Sequence, residues 1–409
     1  MHPDVMRWID RWVGAPLCFL FTLWRRLKNM LGLTGRPEGR IKKILFIELA
    51  EVGAFVVAYP ALRRAASNYP EAELYFLTFS RGPEIIRLMG AIDPERLIII
   101  RTDRIGLFFL DTLKAVLHLR RLRLDAAVNL EVYARFSTIL AYLSGAGRRV
   151  GFHRFHEEGN YLGDLFTHKV VYNPHRHAAQ AYVALVEALA EDPGPEPLVK
   201  KNLDDISLEL PRLPSLEELR GQVKKSLKEL YPGLEDKHRL VLLNPNASDM
   251  VAARRWPDAH FQQLALGLLE DPDILVVLTG APDERAKTEN LRQALGSERV
   301  LNMAGRTTLA QLLELYHLGR LLVTNDSGPA HFAALTEIPV LVLFGPETPD
   351  LFGPLGLKVE PIYLRLACSP CVSPHNQKQS PCRDNRCLKD IKPELVLTRA
   401  REILSGQDR

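Results

Sequence analysis

The sequence has few cysteines, little net charge and no long apolar run, and each shortage excludes a class of protein. Five cysteines occur in 409 residues. Four of them crowd into one short segment, which argues against a disulfide framework spread over a secreted fold and favours a reducing compartment. A formal net charge of +4 is too small at this length to indicate nucleic-acid binding through phosphate contacts.

The first 33 residues contain an apolar stretch that is too short to cross a bilayer. The uncharged run from Trp12 to Trp24 falls below the ~20 apolar residues that a spanning helix needs, and acidic residues ahead of it argue against a signal peptide. Tryptophans beside basic residues are typical of a helix lying in the headgroup region. We therefore predict that residues 1–33 form an amphipathic membrane-associating segment, broken or kinked near Pro16. A helix packed on the protein or on a second subunit is the alternative.

The basic residues at the end of this segment and just after it also favour a position on a membrane surface. Seven basic residues and one acidic residue, Glu38, lie between Arg25 and Lys43, and an anionic membrane surface attracts such a stretch. The sequence therefore predicts a cytoplasmic protein that is peripheral to the inner face of the cytoplasmic membrane.

The length and the hydrophobic pattern predict two α/β domains. Single cores stop growing at ~250–300 residues, and here buried-strand patterns alternate with helical stretches in two halves. The predicted strands are 44–49, 74–78, 97–101, 126–130, 240–244, 274–279, 321–324 and 340–344. We place the domains at 40–192 and 237–397, with a proline-rich linker region at 193–236, and expect each to hold a doubly wound parallel sheet.

The turn after the first strand argues against a dinucleotide-dependent oxidoreductase. That turn, Glu51-Val52-Gly53-Ala54, holds one glycine, whereas dinucleotide binding needs G-x-G-x-x-G at this position. Ligands of open α/β sheets bind beyond the carboxyl ends of the strands. We therefore expect a ligand site in a cleft between the two domains.

The segment 323–334, VTNDSGPAHFAA, is the most informative in the chain. A buried strand runs into small polar residues and then into a helix, where backbone N–H groups and the positive helix end favour a phosphate. Ser327 and Gly328 allow close approach, Asp326 is suited to orient the loop or hold a sugar hydroxyl, and His331 lies one turn inside the helix. The alternative is that Asp326 or Ser327 only caps the helix.

These residues resemble the donor-binding signature of glycosyltransferase family nine, which includes the ADP-heptose transferases of lipopolysaccharide synthesis. The D-S-G-P-x-H motif carries the resemblance, and NPNAS at 244–248 with RRWP at 254–257 is similar to a second segment of that family. The resemblance extends from about Ile44 to Leu397. It implies a GT-B fold, two Rossmann-like doubly wound parallel-sheet domains facing a cleft, with the acceptor on the first domain and a nucleotide sugar on the second.

The same resemblance implies roles for individual residues. Arg254 or Arg255 matches a basic residue near the pyrophosphate, Glu284 matches an acid that contacts the ribose, and Thr307 belongs to a pocket-lining G-x-T motif. The predicted donor-binding residues are Asn246, Ser248, Arg254, Arg255, Gly280, Glu284, Thr307, Asp326, Ser327, Gly328 and His331.

One position departs from the family pattern. The resemblance places an aspartate after Gly53 as the base that accepts the acceptor hydroxyl's proton, and this chain has Ala54 there. Alanine cannot accept a proton, so we predict that Glu51 takes the role. Glu48, at the end of the first strand, and Glu131, beyond the fourth, are the other candidate carboxylates.

The resemblance therefore predicts an inverting glycosyltransferase that moves a sugar, heptose by analogy, from ADP-heptose or a similar nucleotide sugar to a lipid-linked, lipopolysaccharide or other cell-envelope glycan acceptor. No cofactor is expected for catalysis. Because of Ala54, the alternative is an inactive protein of the same fold that binds a sugar nucleotide or a lipid carrier as a scaffold. A sugar-nucleotide epimerase, which shares the two-domain architecture, is a third hypothesis.

A cysteine-rich loop at 368–387 is a separate feature. Four thiolates are enough for a tetrahedral structural zinc site, although the second pair is spaced more widely than is usual. A disulfide staple and reduced thiols in a surface loop remain alternatives. The residues concerned are Cys368, Cys371, Cys382 and Cys387.

Overall fold

The chain folds into two compact units. A computed structural model of the protein describes residues 3–33, 39–49, 52–80, 82–156, 158–247 and 249–406. The units are Met1–Leu208 with Pro374–Gln377, and Glu209–Ser373 with Lys378–Arg409. The division after Leu208 falls within the stretch 193–236.

The first unit is built on a six-stranded parallel sheet of order β3-β2-β1-β4-β5-β6. Its strands are β1 (Lys43–Ile47), β2 (Glu73–Phe79), β3 (Leu97–Ile100), β4 (Ala126–Asn129), β5 (Arg148–Phe152) and β6 (His168–Val170). Its helices are α1 (Pro3–Ile9), α2 (Ala15–Met30), α3 (Val52–Asn68), α4 (Pro83–Met89), α5 (Ile105–Leu122), α6 (Arg135–Leu143) and α7 (Ala178–Glu187).

The apolar sequence of β1 explains its central place in this sheet. Ile44 through Ile47 are fully buried, and β1 pairs in parallel with both β2 and β4. A parallel strand covered on both faces by helices needs apolar side chains on both sides. Helices α3, α4 and α7 pack together, whereas α6 contacts α2 and α5, as expected when right-handed crossovers run in both directions from β1.

The second unit repeats this plan with the sheet order β12-β11-β10-β7-β8-β9, again all parallel. Its strands are β7 (Arg239–Asn244), β8 (Ile274–Leu278), β9 (Val300–Asn302), β10 (Gly319–Asn325), β11 (Val340–Phe344) and β12 (Val359–Tyr363). Its helices are α8 (Glu217–Leu230), α9 (Asp258–Leu268), α10 (Arg285–Leu295), α11 (Leu309–Leu318), α12 (Gly328–Ala333), α13 (Pro349–Phe352), α14 (Arg386–Lys389) and α15 (Pro393–Leu404).

The predicted pair of doubly wound parallel sheets is confirmed, with differences at the element ends. All eight predicted strands are present. The observed turn after β1 is shorter than the predicted one. Helix α3 begins at Val52 and therefore contains Gly53 and Ala54 in its first turn. At the N-terminus a π-helical turn over Asp10–Gly14 joins α1 directly to α2, and Pro16 follows this turn as the second residue of α2.

No helix within the described ranges combines the length and the apolar composition needed to cross a membrane.

Candidate functional site

Polar side chains gather where the central strands of the second sheet end. Asn244 is the last residue of β7, Thr279 follows β8, and Asn325 ends β10; all three are buried. Asn244 Nδ2 donates to Thr279 Oγ1 at 3.1 Å. These strands are neighbours in the sheet, so their carboxyl ends meet at one edge, where ligands of such folds bind.

Two further asparagine contacts fix the loop after β7. Asn246 Nδ2 donates to the Thr279 carbonyl at 3.3 Å, and Asn325 Nδ2 donates to the Asn246 carbonyl at 3.2 Å. The predicted residue Asn246 is therefore buried between strand ends and holds the loop in place. Ser248, predicted beside it, lies outside the described residues.

Arg254 is held between two buried carboxylates. Its guanidinium lies 2.7 Å from Glu347 Oε1 and 3.6 Å from Asp326 Oδ2, and only 11% of its side chain is exposed. Lys378 Nζ lies 3.9 Å from the same Glu347 oxygen. Two cations, Arg254 and Lys378, thus lie beside two anions, Asp326 and Glu347, where β10 and β11 end. We call these four residues the charge cluster.

The neighbouring Arg255 has a different role. Its Nε and Nη2 donate to the Ala247 carbonyl at 3.1 and 2.7 Å, so it braces the loop after β7. Trp256 follows, fully buried, and donates its backbone N–H to Asn325 Oδ1 and its indole N–H to the Ile391 carbonyl, both at 2.9 Å. Of the two predicted arginines, Arg254 is therefore the one that joins the charge cluster.

The D-S-G-P-x-H motif lies at the start of α12. Ser327 occupies the N-cap position without a capping side-chain bond, and its Oγ donates instead to the Asn325 carbonyl at 3.2 Å. Simple capping by the Ser327 hydroxyl is therefore not what this residue does here. Asp326 and His331 are both buried, and Gly328 opens the six-residue helix.

Glu284 and Gly280 form a second part of the site after β8. Glu284 Oε2 accepts the Ala281 N–H at 2.7 Å, and burial raises the pKa of Glu284. A Cβ on Gly280 would lie 2.7 Å from Asn246 Nδ2 and 3.1 Å from Glu284 Oε2. Glycine is required there because the side chains of both predicted contact residues approach its backbone.

Thr307 lies in the loop after β9, which is tied to the same strand end. The Gly305 N–H donates to the Gly280 carbonyl at 2.9 Å, and Gly305 has a positive φ of 68° that favours glycine. Thr307, two residues later, is half-buried.

The predicted catalytic carboxylates belong to the first unit. Glu48 follows β1, is 4% exposed, and donates its N–H to the Leu77 carbonyl at 3.2 Å. Glu131 follows β4, and its Oε1 accepts the Leu49 N–H at 2.9 Å. Since β1 and β4 are adjacent and parallel, both carboxylates lie at one edge of this sheet. Glu51 lies outside the described residues.

The predicted site residues did not include Asn244, Thr279 and Asn325 at the strand ends, or Glu347 and Lys378 of the charge cluster. Asn325 precedes the recognised motif by one residue. Glu347 follows a buried strand, which is the signal that identified Asp326, but its segment GPETPD has the composition of an ordinary turn. Only the pairing of β10 with β11 brings it to Arg254.

The four cysteines of the loop 368–387 form no disulfide in the described structure. Burial, together with the other three thiols of the loop, raises the pKa of the Cys387 thiol to about 11. In the described part of the chain, no group of three or more His, Cys, Asp or Glu side chains is arranged to hold a metal ion.

Two parallel-sheet units of this kind are the GT-B architecture of solved heptosyltransferases. The structure of Escherichia coli ADP-heptose LPS heptosyltransferase II has a TM-score of 0.68 at 23% identity and covers 90% of this chain and 100% of its own. A family 9 glycosyl transferase from Veillonella parvula has a TM-score of 0.66 at 20% identity, covering 90% of this chain and 98% of its own. At these identities the likeness concerns the fold.

The chain belongs to glycosyltransferase family 9 (heptosyltransferase), which it matches over residues 113–380. Lipooligosaccharide heptosyltransferase 2 of Campylobacter jejuni serotype O:2 is 32% identical over 176 residues, 42% of this chain and 53% of the relative, so the chain spans about half the length of that relative. Lipooligosaccharide heptosyltransferase 2 of Haemophilus ducreyi is 26% identical over 371 residues, 89% of this chain and 99% of the relative.

Proposed function

We propose that the protein is an inverting glycosyltransferase that transfers heptose from ADP-heptose, or a closely similar nucleotide sugar, to lipopolysaccharide or another lipid-linked cell-envelope glycan. Membership of family 9 supports the reaction class, and the names of the relatives support the acceptor class. Escherichia coli heptosyltransferase WaaC has been solved with ADP and with ADP-2-deoxy-2-fluoro heptose, which supports the choice of donor.

One observation carries the proposal: Arg254 is buried against Asp326 and Glu347 where β10 and β11 end. In the transfer, the acceptor hydroxyl attacks the anomeric carbon while the bond to the diphosphate breaks. Negative charge grows on the departing ADP, and a fixed cation in a water-poor site stabilises it more strongly than water does. The two carboxylates keep Arg254 in position, and we propose that Lys378 adds a second positive charge beside the diphosphate.

The acceptor proton needs a carboxylate of the first unit, because Ala54 cannot take it. We propose Glu51 as the base. Glu51→Gln should slow heptose transfer by ~10²–10⁴-fold without weakening ADP binding, whereas Glu48→Gln and Glu131→Gln, which test the two other candidate bases, should slow it less. If only the Glu131 variant slows transfer, the base is Glu131 and the assignment of Glu51 is wrong.

A second candidate function is an inactive binding protein of the same fold, and Ala54 is the observation that favours it. The two are separated by incubating the purified chain with ADP-heptose and lipopolysaccharide that lacks heptose. Release of ADP together with a heptose-sized mass gain of the acceptor supports the enzyme. Binding of ADP-heptose without either product supports the scaffold.

We propose that catalysis needs no metal. Transfer in the presence of EDTA should equal transfer without it, and a rate restored only by an added divalent cation would contradict this. Metal analysis of protein purified without chelator tests the cysteine loop separately. One zinc per chain supports the structural zinc site, and its absence leaves reduced thiols or a disulfide.

We also propose that residues 1–33 hold the protein on the inner face of the cytoplasmic membrane, near its acceptor. A chain lacking these residues should leave the membrane fraction after cell lysis. An unchanged distribution would contradict the proposal.

A further inference from the structure

The described part of the first unit carries two apolar stripes on separate helices. On α2 the stripe consists of Phe19, Leu20, Leu23, Trp24 and Leu27, each between 45% and 56% exposed. On α5 it consists of Ile105, Phe109, Leu110, Leu113 and Leu117, each between 46% and 58% exposed. The spacing in each set places its members along one helix face, and monomeric soluble proteins rarely expose such faces.

Both stripes face away from the body of the unit. On α2 the opposite side holds the buried Cys18 and Thr22, and Cys18 packs with Ile139 of α6. On α5 the opposite side holds the buried Phe108, Asp111, Ala115 and Leu119. Phe108 lies 5.2 Å, between ring centroids, from Phe136 of α6. Both helices therefore contact α6 through their buried sides, and the stripes lie on their exposed sides.

The charges around these stripes are mostly positive, with Asp103 as an exposed acid just ahead of α5. No acidic residue occurs in α2, whereas Arg26 is exposed on it. On α5 the single acid, Asp111, is bonded to Arg101 at 2.7 and 2.9 Å. The exposed basic residues on and next to α5 are Arg104, Lys114, Arg120, Arg121 and Arg123. A cationic rim around an apolar face is complementary to an anionic lipid surface.

Aromatic side chains reinforce this chemistry. Trp8 and Trp12 are each 60% exposed and Trp24 is 52% exposed. Arg11 lies 5.6 Å from the Trp12 ring and Lys28 lies 5.3 Å from the Trp24 ring. Tryptophans beside cations are typical of the headgroup boundary of a bilayer.

We propose that α5 is a second membrane-binding element, and that the stripes of α2 and α5 together dock the first unit on an anionic bilayer. The inference deepens the proposed function and rests on it, since a lipid-linked acceptor is what brings the enzyme to the membrane. In this proposal the N-terminal segment does not dock alone. Helix α2 forms one part of the docking face, and α5, which covers the sheet, forms the other.

The test is sedimentation of the full-length protein with vesicles of phosphatidylcholine containing anionic phosphatidylglycerol. The double variant Phe109→Ser with Leu113→Ser should have a vesicle partition coefficient about tenfold or more below that of the wild type, because two apolar side chains no longer insert into the lipid. A matched control is Leu266→Ser with Leu395→Ser, two leucines of the second unit that are 48% and 51% exposed. This control should bind like the wild type.

Leu113→Ser with Leu117→Ser is a second α5 pair, used if the first lowers the melting temperature. Vesicle binding by folded α5 variants that equals the wild type overturns the proposal. The proposal is also overturned if the wild type is a dimer and an α5 variant is a monomer that still binds vesicles, because the α5 stripe would then contact a second copy of the chain. ADP-heptose binding and transfer to a detergent-solubilised acceptor are measured in parallel, so that failure of the proposed function is seen independently of vesicle binding.

Discussion

The charge cluster links Arg254 to the stability of the second unit as well as to its proposed role beside the diphosphate. Removing it leaves Asp326 and Glu347 buried beside each other, with 6% and 2% of their side chains exposed. A buried ion pair contributes little net stability, yet breaking one by deleting a single partner is costly, because a charge remains buried.

Arg254→Met should therefore lower the free energy of unfolding by about 3–5 kcal/mol, measured by urea denaturation. The control is Arg212→Met, which breaks an exposed pair with Glu337 and should change stability by less than about 1 kcal/mol. Adding Glu347→Gln to Arg254→Met should restore part of the stability but none of the ADP affinity. Equal effects of the two arginine substitutions would contradict a buried charge cluster.

Glu284 predicts a pH dependence of donor binding. Its pKa is raised by burial above the value of 4.5, so on acidification it becomes neutral at a higher pH than an ordinary glutamate. If the ionised carboxylate holds the ribose hydroxyls, ADP affinity should fall as the pH falls through this raised pKa. Titration calorimetry of wild type and Glu284→Gln between pH 4 and 7.5 measures this, and the variant should lack that step. A step of the same size in both proteins would remove Glu284 from the ribose site.

At the scale of elements, Gly163 is the contact that allows α2 to dock. A Cβ on Gly163 would lie 2.6 Å from the Cys18 carbonyl oxygen and 2.4 Å from Thr22 Oγ1, and its φ is +68°. Cys18, on the inner side of α2, is fully buried, and burial raises the pKa of its thiol to about 12. A docked α2 therefore protects Cys18 from alkylation, since the reactive species is the thiolate.

Gly163→Ala should raise the rate of Cys18 alkylation by iodoacetamide at pH 8, followed by peptide mass spectrometry, by about tenfold or more because α2 is displaced. Gly145→Ala is the matched control. Gly145 also has a positive φ, of +81°, but its nearest neighbour would lie 4.0 Å away. Cys18 that stays protected in Gly163→Ala would show that α2 tolerates the clash.

The strands with apolar runs could be predicted from sequence, and the short or partly polar strands could not. The buried runs around Ile44, Leu240 and Val340 are apolar at every position because helices cover both faces of the sheet. Four strands went unrecognised: β5 begins with two arginines, β6 and β9 have three residues each, and β12 contains Pro361. A search for apolar runs finds the apolar edge strand β3, but it does not find strands that are as short or as polar as these four.

The site shows a similar limit. The polar turn after a buried strand predicted Asp326 from the residues alone, whereas the family resemblance predicted Gly280 and Glu284. The partners of Arg254 depend on which strands pair, and Glu347 lies 93 residues from it along the chain. Arg254 and Arg255 make different contacts because their side chains point in different directions. The sequence shows only that the two arginines are adjacent.

At the scale of the whole molecule, the two units repeat one sheet order and divide the chemistry between them. The strand ends proposed to hold a diphosphate belong to the second unit, and the candidate catalytic carboxylates and the apolar stripes belong to the first. The first unit also contains the buried His168 and the half-buried His153. Burial lowers the pKa of His153 and of His168 from 6.5 to about 4 in each case.

These histidines predict an acid-sensitive first unit. Between pH 6.5 and about 4 the unfolded chain takes up protons that the folded chain does not, so stability is fully present above pH 6.5 and is lost as the pH falls. The slope is at most about 1.4 kcal/mol per pH unit for each group. Urea denaturation from pH 7.5 to 4.5 should show a shallower loss for His168→Asn than for the wild type. His175→Asn, at an exposed position, is the control, and identical slopes in all three proteins would contradict the prediction.

The central claim, that the strand ends of the second unit hold the diphosphate of a nucleotide sugar, is tested most directly by amide hydrogen exchange with and without ADP-heptose. We expect slower exchange in segments 279–284 and 325–331 on binding, and no slowing there in Arg254→Met. No protection at any nucleotide-sugar concentration, or protection confined to the first unit, would contradict the claim.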